Sequence, residues 1–245
     1  MQRNNSYTFD ARVRFSEADH RKRLTLPGII NYFQDCSTFQ SEKIGFGFEY
    51  LSEKNRAWVL SSWQIVIERY PEFNEKIKVR TWATGFRGML GDRNFCIEDE
   101  NGEMAVYANS IWVYMDMKKG RPVKPDAGET EAYGTGQALE MEYAGRKIAV
   151  PSGMKEFPAI PVRKYQIDTN EHMNNCQYVQ MVLELLEDER DVRQIRAEYK
   201  KAAVYGDVIL PKAAEGEDKA VAELCDMEGK PYAVVEVQWR DEISR

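Results

Sequence analysis

Side chains able to do acid–base chemistry cluster between residues 162 and 186, in the run VRKYQIDTNEHMNNCQYVQMVLELL. Carboxylate, amide and imidazole groups alternate there and run into a helical pattern. A general base or an oxyanion donor must lie within hydrogen-bond reach of the reacting atoms, and the free N–H groups at a helix start point to the same place. The segment therefore predicts a catalytic group of Asp168, Asn170 and His172, followed by Asn174 and Asn175, which either cap the helix or bind substrate.

Each of these residues also has a purely structural interpretation. His172, one of two histidines in the chain, could make a single structural hydrogen bond near the helix start. Asp168 is a common residue type at turns and helix starts. Cys176 stands one helical turn after His172, where a thiol nucleophile is conceivable, but cysteine at such a position is more often a small buried hydrophobe. The combination favours a functional site without a cysteine nucleophile.

Composition restricts the class of protein. A chain of 245 residues can form one large domain or two of about 120 residues each. With 43% hydrophobic and 30% charged residues it is typical of globular proteins, and a net charge of −6 argues against a nucleic-acid partner. The beginning, MQRNNSYTFD, does not resemble a signal peptide, and no apolar run is long enough for a membrane span. We expect a cytoplasmic protein with no membrane partner.

The cysteines are scattered and show no C-x-x-C pair. This spacing favours reduced thiols over a disulfide framework or a zinc site. Neither a metal ion nor a cofactor is expected. The cysteines are Cys36, Cys96, Cys176 and Cys225.

Two internal similarities predict a duplication. VRFSEAD at residues 13–19 aligns with VRKYQID at 162–168, and a helical pattern follows each, carrying Asn31-Tyr32 in one case and Gln177-Tyr178 in the other. Gly102 precedes Trp112 by ten residues, as Gly229 precedes Trp239. Because the two similarities occur in the same order, each half is expected to contain the same elements.

Each half is predicted to form an early strand, a long helix and several strands, so that an antiparallel sheet wraps the apolar face of the helix. The helices are expected at about Pro27–Ile44 and Asn175–Glu187. The fold class is thus α+β, and Lys118–Pro158, rich in Gly, Pro and charge, is expected to be a surface linker with one short helix at Asp126–Tyr133. Strands are expected near 57–67, 76–83, 93–98, 105–114, 195–203, 207–211, 219–225 and 232–239.

The chain resembles the acyl-acyl-carrier-protein thioesterases, the plant-type family that also occurs in bacteria. The similar segments span both halves and are VRFSEAD, NYFQDCSTFQSEKIG, RAWVLSSWQIVIERYP, ANSIWVYMD, DTNEHMNN and RAEYKKAAVYGD. The resemblance implies two tandem hotdog domains: an N-terminal domain over residues 1–125, a linker over 126–157 and a catalytic C-terminal domain over 158–245. It also implies hydrolysis of fatty acyl thioesters on acyl carrier protein, a step of fatty acid biosynthesis.

The resemblance places the catalytic Asp, Asn and His of the family on Asp168, Asn170 and His172. A further acidic residue and an adjacent cysteine of the family fall on Ala202 and Ala203, so this chain lacks both. The implied mechanism is direct attack by water, with Asp168 or His172 as the base and Asn170 orienting water or carbonyl. Amides at the start of the second helix would bind the oxyanion.

The first half keeps the repeat but has other residues at two of the three catalytic positions. Arg21 and Arg23 stand where the second half has Asn170 and His172. One active site per chain is therefore expected, with the first half shaping the acyl pocket through Ile30 and Phe33. The basic run at 20–23 and the pairs at 163–164 and 200–201 either contact the phosphopantetheine arm or carrier protein, or are solvated surface.

Other functions remain open from the sequence. An acyl-CoA thioesterase on the same fold is the nearest alternative. A non-catalytic acyl-binding sensor is favoured by the alanine at position 202. The sequence does not determine acyl-chain length, the choice between carrier protein and CoA, or whether the protein is a monomer or a homodimer.

Overall fold

The computed structural model describes residues 6–187 and 190–241, so the first five and last four residues of the predicted domains lie outside it. The chain forms two compact units. Unit 1 comprises Met1–Ser61 and Ile67–Ala144, and unit 2 comprises Ser62–Val66 and Gly145–Arg245. Each contains a long helix and antiparallel strands, which confirms the predicted α+β class.

Unit 1 has the strand order β1-β3-β4-β5-β2, and the short β6 pairs with β5. Its longest helix packs on β1 and β3. The helices are α1 (Leu26–Lys43), α2 (Phe48–Glu53) and α3 (Ala127–Tyr133). The strands are β1 (Tyr7–Arg12), β2 (Arg56–Ile67), β3 (Lys76–Arg87), β4 (Leu90–Glu98), β5 (Met104–Asp116) and β6 (Arg121–Pro122).

Local sequence fixes both ends of α1. The Thr25 side chain accepts a hydrogen bond from Gly28 N at 3.2 Å, and Pro27 occupies the first turn, where its missing N–H costs nothing. The helix ends before Ile44, and Gly45 follows with φ of 79°. Both ends lie within one residue of the prediction.

The inner face of α1 forms much of the core of unit 1. Ile29, Ile30, Phe33 and Cys36 are fully buried. The Phe33 ring lies 5.1 Å from the ring of Phe95 on β4, centroid to centroid. Spacing of three and four residues places these side chains on one helix face, as predicted.

A polar group also lies under this face. The Arg93 guanidinium donates hydrogen bonds to Gln40 Oε1 and, at 3.1 Å, to Thr81 Oγ1. It also lies 5.3 Å from the centre of the Tyr133 ring. Burial lowers the pKa of Arg93. Gln40, a polar residue on an otherwise apolar face, is thus explained as an acceptor for a buried guanidinium.

The segment between the halves is more buried than predicted. In unit 1, Tyr133 Oη is 2.8 Å from Ser41 Oγ, and Trp82 Nε1 donates to Gln137 O at 2.8 Å. In unit 2, Ile148 packs in a core cluster with Val221 and Val234. The prediction of a surface linker is therefore wrong at Tyr133 and Ile148, each 3% exposed, because tertiary hydrogen bonds and packing hold them in place.

Unit 2 has the strand order β9-β12-β11-β10-β7, with β8 pairing with β10 and residues 62–66 pairing with β9. Its helix, α4 (Asn175–Leu185), packs on β12 and ends two residues before the predicted end. The strands are β7 (Lys155–Glu156), β8 (Ile160–Pro161), β9 (Val192–Tyr199), β10 (Val208–Glu215), β11 (Lys219–Cys225) and β12 (Pro231–Trp239).

The Gly–Trp similarity corresponds to the same turn in both units. Asp99 Oδ1 accepts hydrogen bonds from the N–H groups of residues 101 and 103, and Asp226 Oδ1 accepts them from those of 228 and 230. Gly102 has φ of 82° and Gly229 has φ of 79°, a conformation in which glycine avoids the Cβ clash. The duplication is therefore visible in backbone geometry as well as in sequence.

The Asn-Tyr and Gln-Tyr pairs are not equivalent, contrary to the prediction. Tyr32 stands seven residues after the cap residue Thr25, whereas Tyr178 stands four after the cap residue Asn174. Their hydroxyls make different contacts, one with Glu17 and the other with a backbone amide. The sequence match was one helical turn out of register.

Candidate active site

Residues 168–172 form a tight turn that the Asp168 carboxylate holds. Its Oδ1 accepts hydrogen bonds from Asn170 N at 2.8 Å and His172 N at 3.3 Å, and Asp168 N donates to His172 O at 2.8 Å. Glu171 adopts a left-handed φ of 62° within the turn. Asp168, Asn170 and His172 are thus brought together by local backbone hydrogen bonds.

Unit 1 contains the same turn without the same side chains. Asp19 Oδ1 accepts from Arg23 N at 2.8 Å, Asp19 N donates to Arg23 O at 2.8 Å, and Lys22 has φ of 62°. The aspartate is therefore part of the inherited frame, and its carboxylate has a structural role in both copies. The difference lies in Arg21 and Arg23, which stand where unit 2 presents an amide and an imidazole.

Asn174 caps α4 by accepting hydrogen bonds from backbone N–H groups of the first turn. These are among the groups that were expected from the sequence to bind the oxyanion. Its Oδ1 accepts from Cys176 N at 3.0 Å, and its backbone carbonyl accepts from Gln177 N at 2.9 Å. These two N–H groups are directed at Asn174, so they do not face an oxyanion in this structure, and oxyanion binding at the helix start stays a prediction. The side-chain amide of Asn170 is the alternative donor.

An open cleft of about 490 Å³ borders the turn. Asn170, which is exposed, and His172, which is half-buried, contribute to its wall. No described residue is a hydrogen-bond partner of the imidazole in this structure. Asp168 is not part of the lining, and its carboxylate accepts hydrogen bonds from backbone N–H groups of the turn. The complete lining is Lys164, Ile167, Asn170, Glu171, His172, Val204 and Tyr205.

Sequence reasoning did not place Val204 and Tyr205 in the site. They lie in the loop after β9, and Met173 N donates to Ala203 O at 2.8 Å, which fixes that loop beside the turn. Ala202, the position of the absent acidic residue, is exposed and outside the cleft lining. The segment RAEYKKAAVYGD includes this loop, but its residue types do not place it beside the turn, because a tertiary backbone hydrogen bond creates that proximity.

The remaining predicted substrate residues lie outside the cleft lining. Asn175 is half-buried at the first position of α4, and its backbone oxygen accepts from Tyr199 Oη at 3.0 Å. Ile30 and Phe33 are buried in unit 1. Asn174 is the helix cap. Their roles in substrate binding stay predictions.

Replacing Tyr178 by phenylalanine should destabilise the site. Tyr178 Oη accepts a hydrogen bond from Ala203 N at 2.8 Å, both residues are buried, and burial raises the pKa of Tyr178 to about 12. The variant leaves a buried N–H without its acceptor, which costs about 1–3 kcal/mol of unfolding free energy. Urea unfolding measures this loss, and Tyr165→Phe, at a residue that is 80% exposed, serves as the control. Equal stabilities for the two variants would contradict the assignment.

The cysteines should be unreactive in the native protein. All four are buried, and burial raises the pKa of Cys36 and of Cys96 to about 12 and that of Cys225 to about 11. Because the thiolate is the reactive form, alkylation at mildly alkaline pH should be slow until urea unfolds the chain. If the chain hydrolyses thioesters, as the sequence predicts, Cys176→Ser should retain most of that activity. An acyl adduct found on any cysteine by mass spectrometry would overturn this prediction.

Two further features concern the described part of the chain. No group of three or more His, Cys, Asp and Glu side chains is placed there to hold a metal ion. Within the same residues, no helix combines the length and apolar character that crossing a membrane requires.

Comparison with known sequences gives matches over both halves. The family model of the acyl-ACP thioesterase N-terminal domain matches residues 4–128, and that of the C-terminal domain matches 151–241. A chloroplastic acyl-[acyl-carrier-protein] hydrolase of Cuphea viscosissima is 25% identical over 93% of this chain. An oleoyl-acyl carrier protein thioesterase of Coriandrum sativum is 25% identical over 92% of it. The chain spans 61% of the length of the first relative and 68% of the second.

Comparison with solved structures confirms the predicted tandem hotdog fold. An acyl-ACP thioesterase of Bacteroides thetaiotaomicron superimposes with a TM-score of 0.89 at 24% identity, covering 96% of this chain and 98% of the other. The 12:0-ACP thioesterase of Umbellularia californica gives a TM-score of 0.84 at 18% identity, covering 98% and 99%. At these identities the likeness concerns the fold.

Proposed function

This chain belongs to the acyl-ACP thioesterase family, and on that premise we propose that it hydrolyses fatty acyl thioesters of acyl carrier protein to free fatty acid and carrier protein. The observation that carries the proposal is the placement of Asn170 and His172 in an open cleft, on a turn that Asp168 holds rigid. An amide donor beside an imidazole is suited to acyl transfer to water.

In the proposed mechanism water attacks the thioester carbon directly. The His172 imidazole takes the proton of the attacking water, because a ring nitrogen of neutral imidazole accepts a proton and this imidazole lines the cleft. The Asn170 amide donates to the carbonyl oxygen as negative charge develops on it. The carbon–sulfur bond then breaks, and the proton held by His172 goes to the leaving thiolate.

The contacts of Asp168 support a positioning role for it in preference to that of the base. Its Oδ1 already accepts two backbone hydrogen bonds, and an aspartate makes the same turn at Asp19. Its negative charge still lies beside the turn that carries His172, where it stabilises an imidazolium. Catalysis therefore depends on Asp168 through the orientation and the charge of the site.

We propose the division of labour that the sequence predicts. Residues 158–245 carry the chemistry, residues 1–125 shape the acyl pocket, and residues 126–157 connect them. The support is the shared turn, in which unit 2 has Asn170 and His172 where unit 1 has Arg21 and Arg23. The proposed partner is acyl carrier protein that bears a fatty acyl phosphopantetheine, and the proposed compartment is the cytoplasm. The proposed oligomeric state is a monomer or a homodimer, and light scattering distinguishes the two.

A hydrolysis panel of C8 to C18 acyl groups, each on acyl carrier protein and on CoA, tests the proposal. Steady turnover with higher kcat/KM on the carrier protein is expected. Preference for CoA would make the protein an acyl-CoA thioesterase. Tight acyl binding without turnover would identify a non-catalytic acyl-binding sensor, the alternative function that the alanine at position 202 favours.

A further inference from the structure

The cleft beside His172 contains a lysine and an exposed aromatic ring in contact. Lys164 Nζ lies 5.5 Å from the centroid of the Tyr205 ring, and both residues line the cleft. Tyr205 is 58% exposed. Among the described residues, no carboxylate lies within ion-pairing distance of Lys164 Nζ. A cation held over a ring in this way is available to an anionic ligand.

Backbone hydrogen bonds identify the equivalent positions in unit 1. Met173 N donates to Ala203 O as Leu24 N donates to Pro71 O, each at 2.8 Å. The next pair of bonds repeats with the same spacing: Val162 N to Asp207 O in unit 2, and Val13 N to Glu75 O in unit 1. The two acceptor residues are four apart in each unit, at 203 and 207 and at 71 and 75, so position 205 corresponds to position 73.

The start of the repeat gives the second equivalence. Gln166 N donates to Arg163 O at 3.1 Å, and Glu17 N donates to Arg14 O at 3.0 Å, each within a short 3-10 helix. Position 164 therefore corresponds to position 15. The equivalents of Lys164 and Tyr205 are Phe15 and Phe73.

The contact itself is conserved between the units, but its chemistry differs. Phe15 and Phe73 pack edge to face, with ring centroids 6.3 Å apart and planes at 85°. Unit 1 thus fills the place with two apolar rings, where unit 2 has an ammonium group on a tyrosine. Packing alone requires no charge at this position. The lysine in unit 2, the unit that also carries His172, therefore indicates a role in ligand binding.

We propose that Lys164 and Tyr205 form the subsite for the phosphate-bearing arm of the thioester substrate. The Lys164 ammonium binds the 4′-phosphate of phosphopantetheine, and the Tyr205 ring packs against the arm. This assignment rests on the proposed function, because it takes the reacting thioester to lie at His172 in the same cleft. The cleft volume of about 490 Å³ is within the range of sites for small molecules.

The charges of the cleft set where the phosphate binds. Glu171 also lines the cleft and carries a negative charge that repels phosphate. Among the described residues of the lining, Lys164 is the one lysine or arginine, so it attracts the phosphate and leaves the uncharged thioester end of the arm for Asn170 and His172. Because the arm is common to acyl carrier protein and CoA, the subsite serves both carriers.

Substrates with and without the phosphate test the proposal. The wild type and Lys164→Met are assayed with the same acyl group on acyl carrier protein, on CoA and on N-acetylcysteamine, which mimics the thiol end of the arm and lacks phosphate. The expected result is a rise in KM of about 3- to 10-fold for both phosphate-bearing substrates, as for a partly exposed charge contact, with an unchanged KM for N-acetylcysteamine. The rise should shrink at high salt.

Arg163→Met is the matched control. It removes the same charge from the neighbouring position, which is exposed and outside the cleft lining. Its ratio of KM values between phosphate-bearing and phosphate-free substrates should equal that of the wild type. Both substitutions lie at exposed positions, and an unchanged melting temperature excludes a folding defect.

Three results would overturn the assignment. An equal change for all three substrates would mean that Lys164 acts on the fold or on the chemical step. No change for any substrate would exclude a contact with the arm. A change confined to acyl carrier protein would mean that Lys164 contacts the protein surface of the carrier.

If the wild type hydrolyses none of the substrates, the proposed function fails, and calorimetry with pantetheine 4′-phosphate and with pantetheine tests the subsite separately. Tighter binding of the phosphate compound, lost in Lys164→Met, supports the subsite. Equal binding of the two compounds overturns it.

Discussion

Replacing His172 by alanine is expected to lower kcat for acyl-thioester hydrolysis by about 10²- to 10⁴-fold, the usual contribution of a positioned base. The imidazole lines the cleft, and its backbone N–H and C=O hold the turn, so the substitution removes the base and keeps the frame. The folded state should persist, because the described structure loses no hydrogen bond of the side chain. Turnover near that of the wild type in a folded variant would exclude His172 as the base.

Asp168→Asn should lower kcat within the same range, for an electrostatic reason. Asparagine keeps an Oδ1 acceptor for Asn170 N and His172 N, so the turn survives while the negative charge is removed. Loss of that charge disfavours the imidazolium that forms in the proposed mechanism. Pre-steady-state measurement of the hydrolytic step separates this effect from product release.

Asp19→Asn is the matched control for Asp168→Asn. Asp19 holds the same turn in unit 1, where Arg23 stands at the position of His172. The control should leave the rate of the chemical step nearly unchanged. The difference in kcat between the two variants therefore measures the contribution of the Asp168 charge to the chemical step, separately from its role in forming the turn. If Asp19→Asn abolished turnover and Asp168→Asn did not, the active site would lie in the first half.

Phe33→Ala should lower the free energy of unfolding by about 3–5 kcal/mol, the typical cost of removing a buried aromatic side chain. Phe33 is 0% exposed and packs on Phe95 under α1. Urea unfolding measures the loss. Phe39→Ala, on the same helix but 44% exposed, should cost clearly less, and equal losses would contradict the packing argument.

The same face should influence acyl-chain length if unit 1 shapes the pocket as proposed. Ile30→Val and Phe33→Leu remove less volume than alanine and should preserve folding while altering the space under α1. Each buried methylene of an acyl chain contributes about 0.8 kcal/mol, so a several-fold change in preference per two carbons is expected. An unchanged order of kcat/KM from C8 to C18 would remove these two residues from the pocket.

The sequence by itself determined the elements whose causes are local. Thr25 and Asn174 begin the two helices because their side chains accept from N–H groups of the first turn. The aspartates at 19 and 168 specify the same turn because each accepts hydrogen bonds within four residues. The duplication, the helix positions and the grouping of Asn170 with His172 could therefore be predicted without coordinates.

The tertiary structure decided what distant residues do for one another. It brought Val204 and Tyr205 into the cleft through the hydrogen bond from Met173 N to Ala203 O. It also buried parts of the segment between the halves. The physical reason is that strand register and loop packing are set by partners thirty or more residues away along the chain, which no local pattern of residue types encodes.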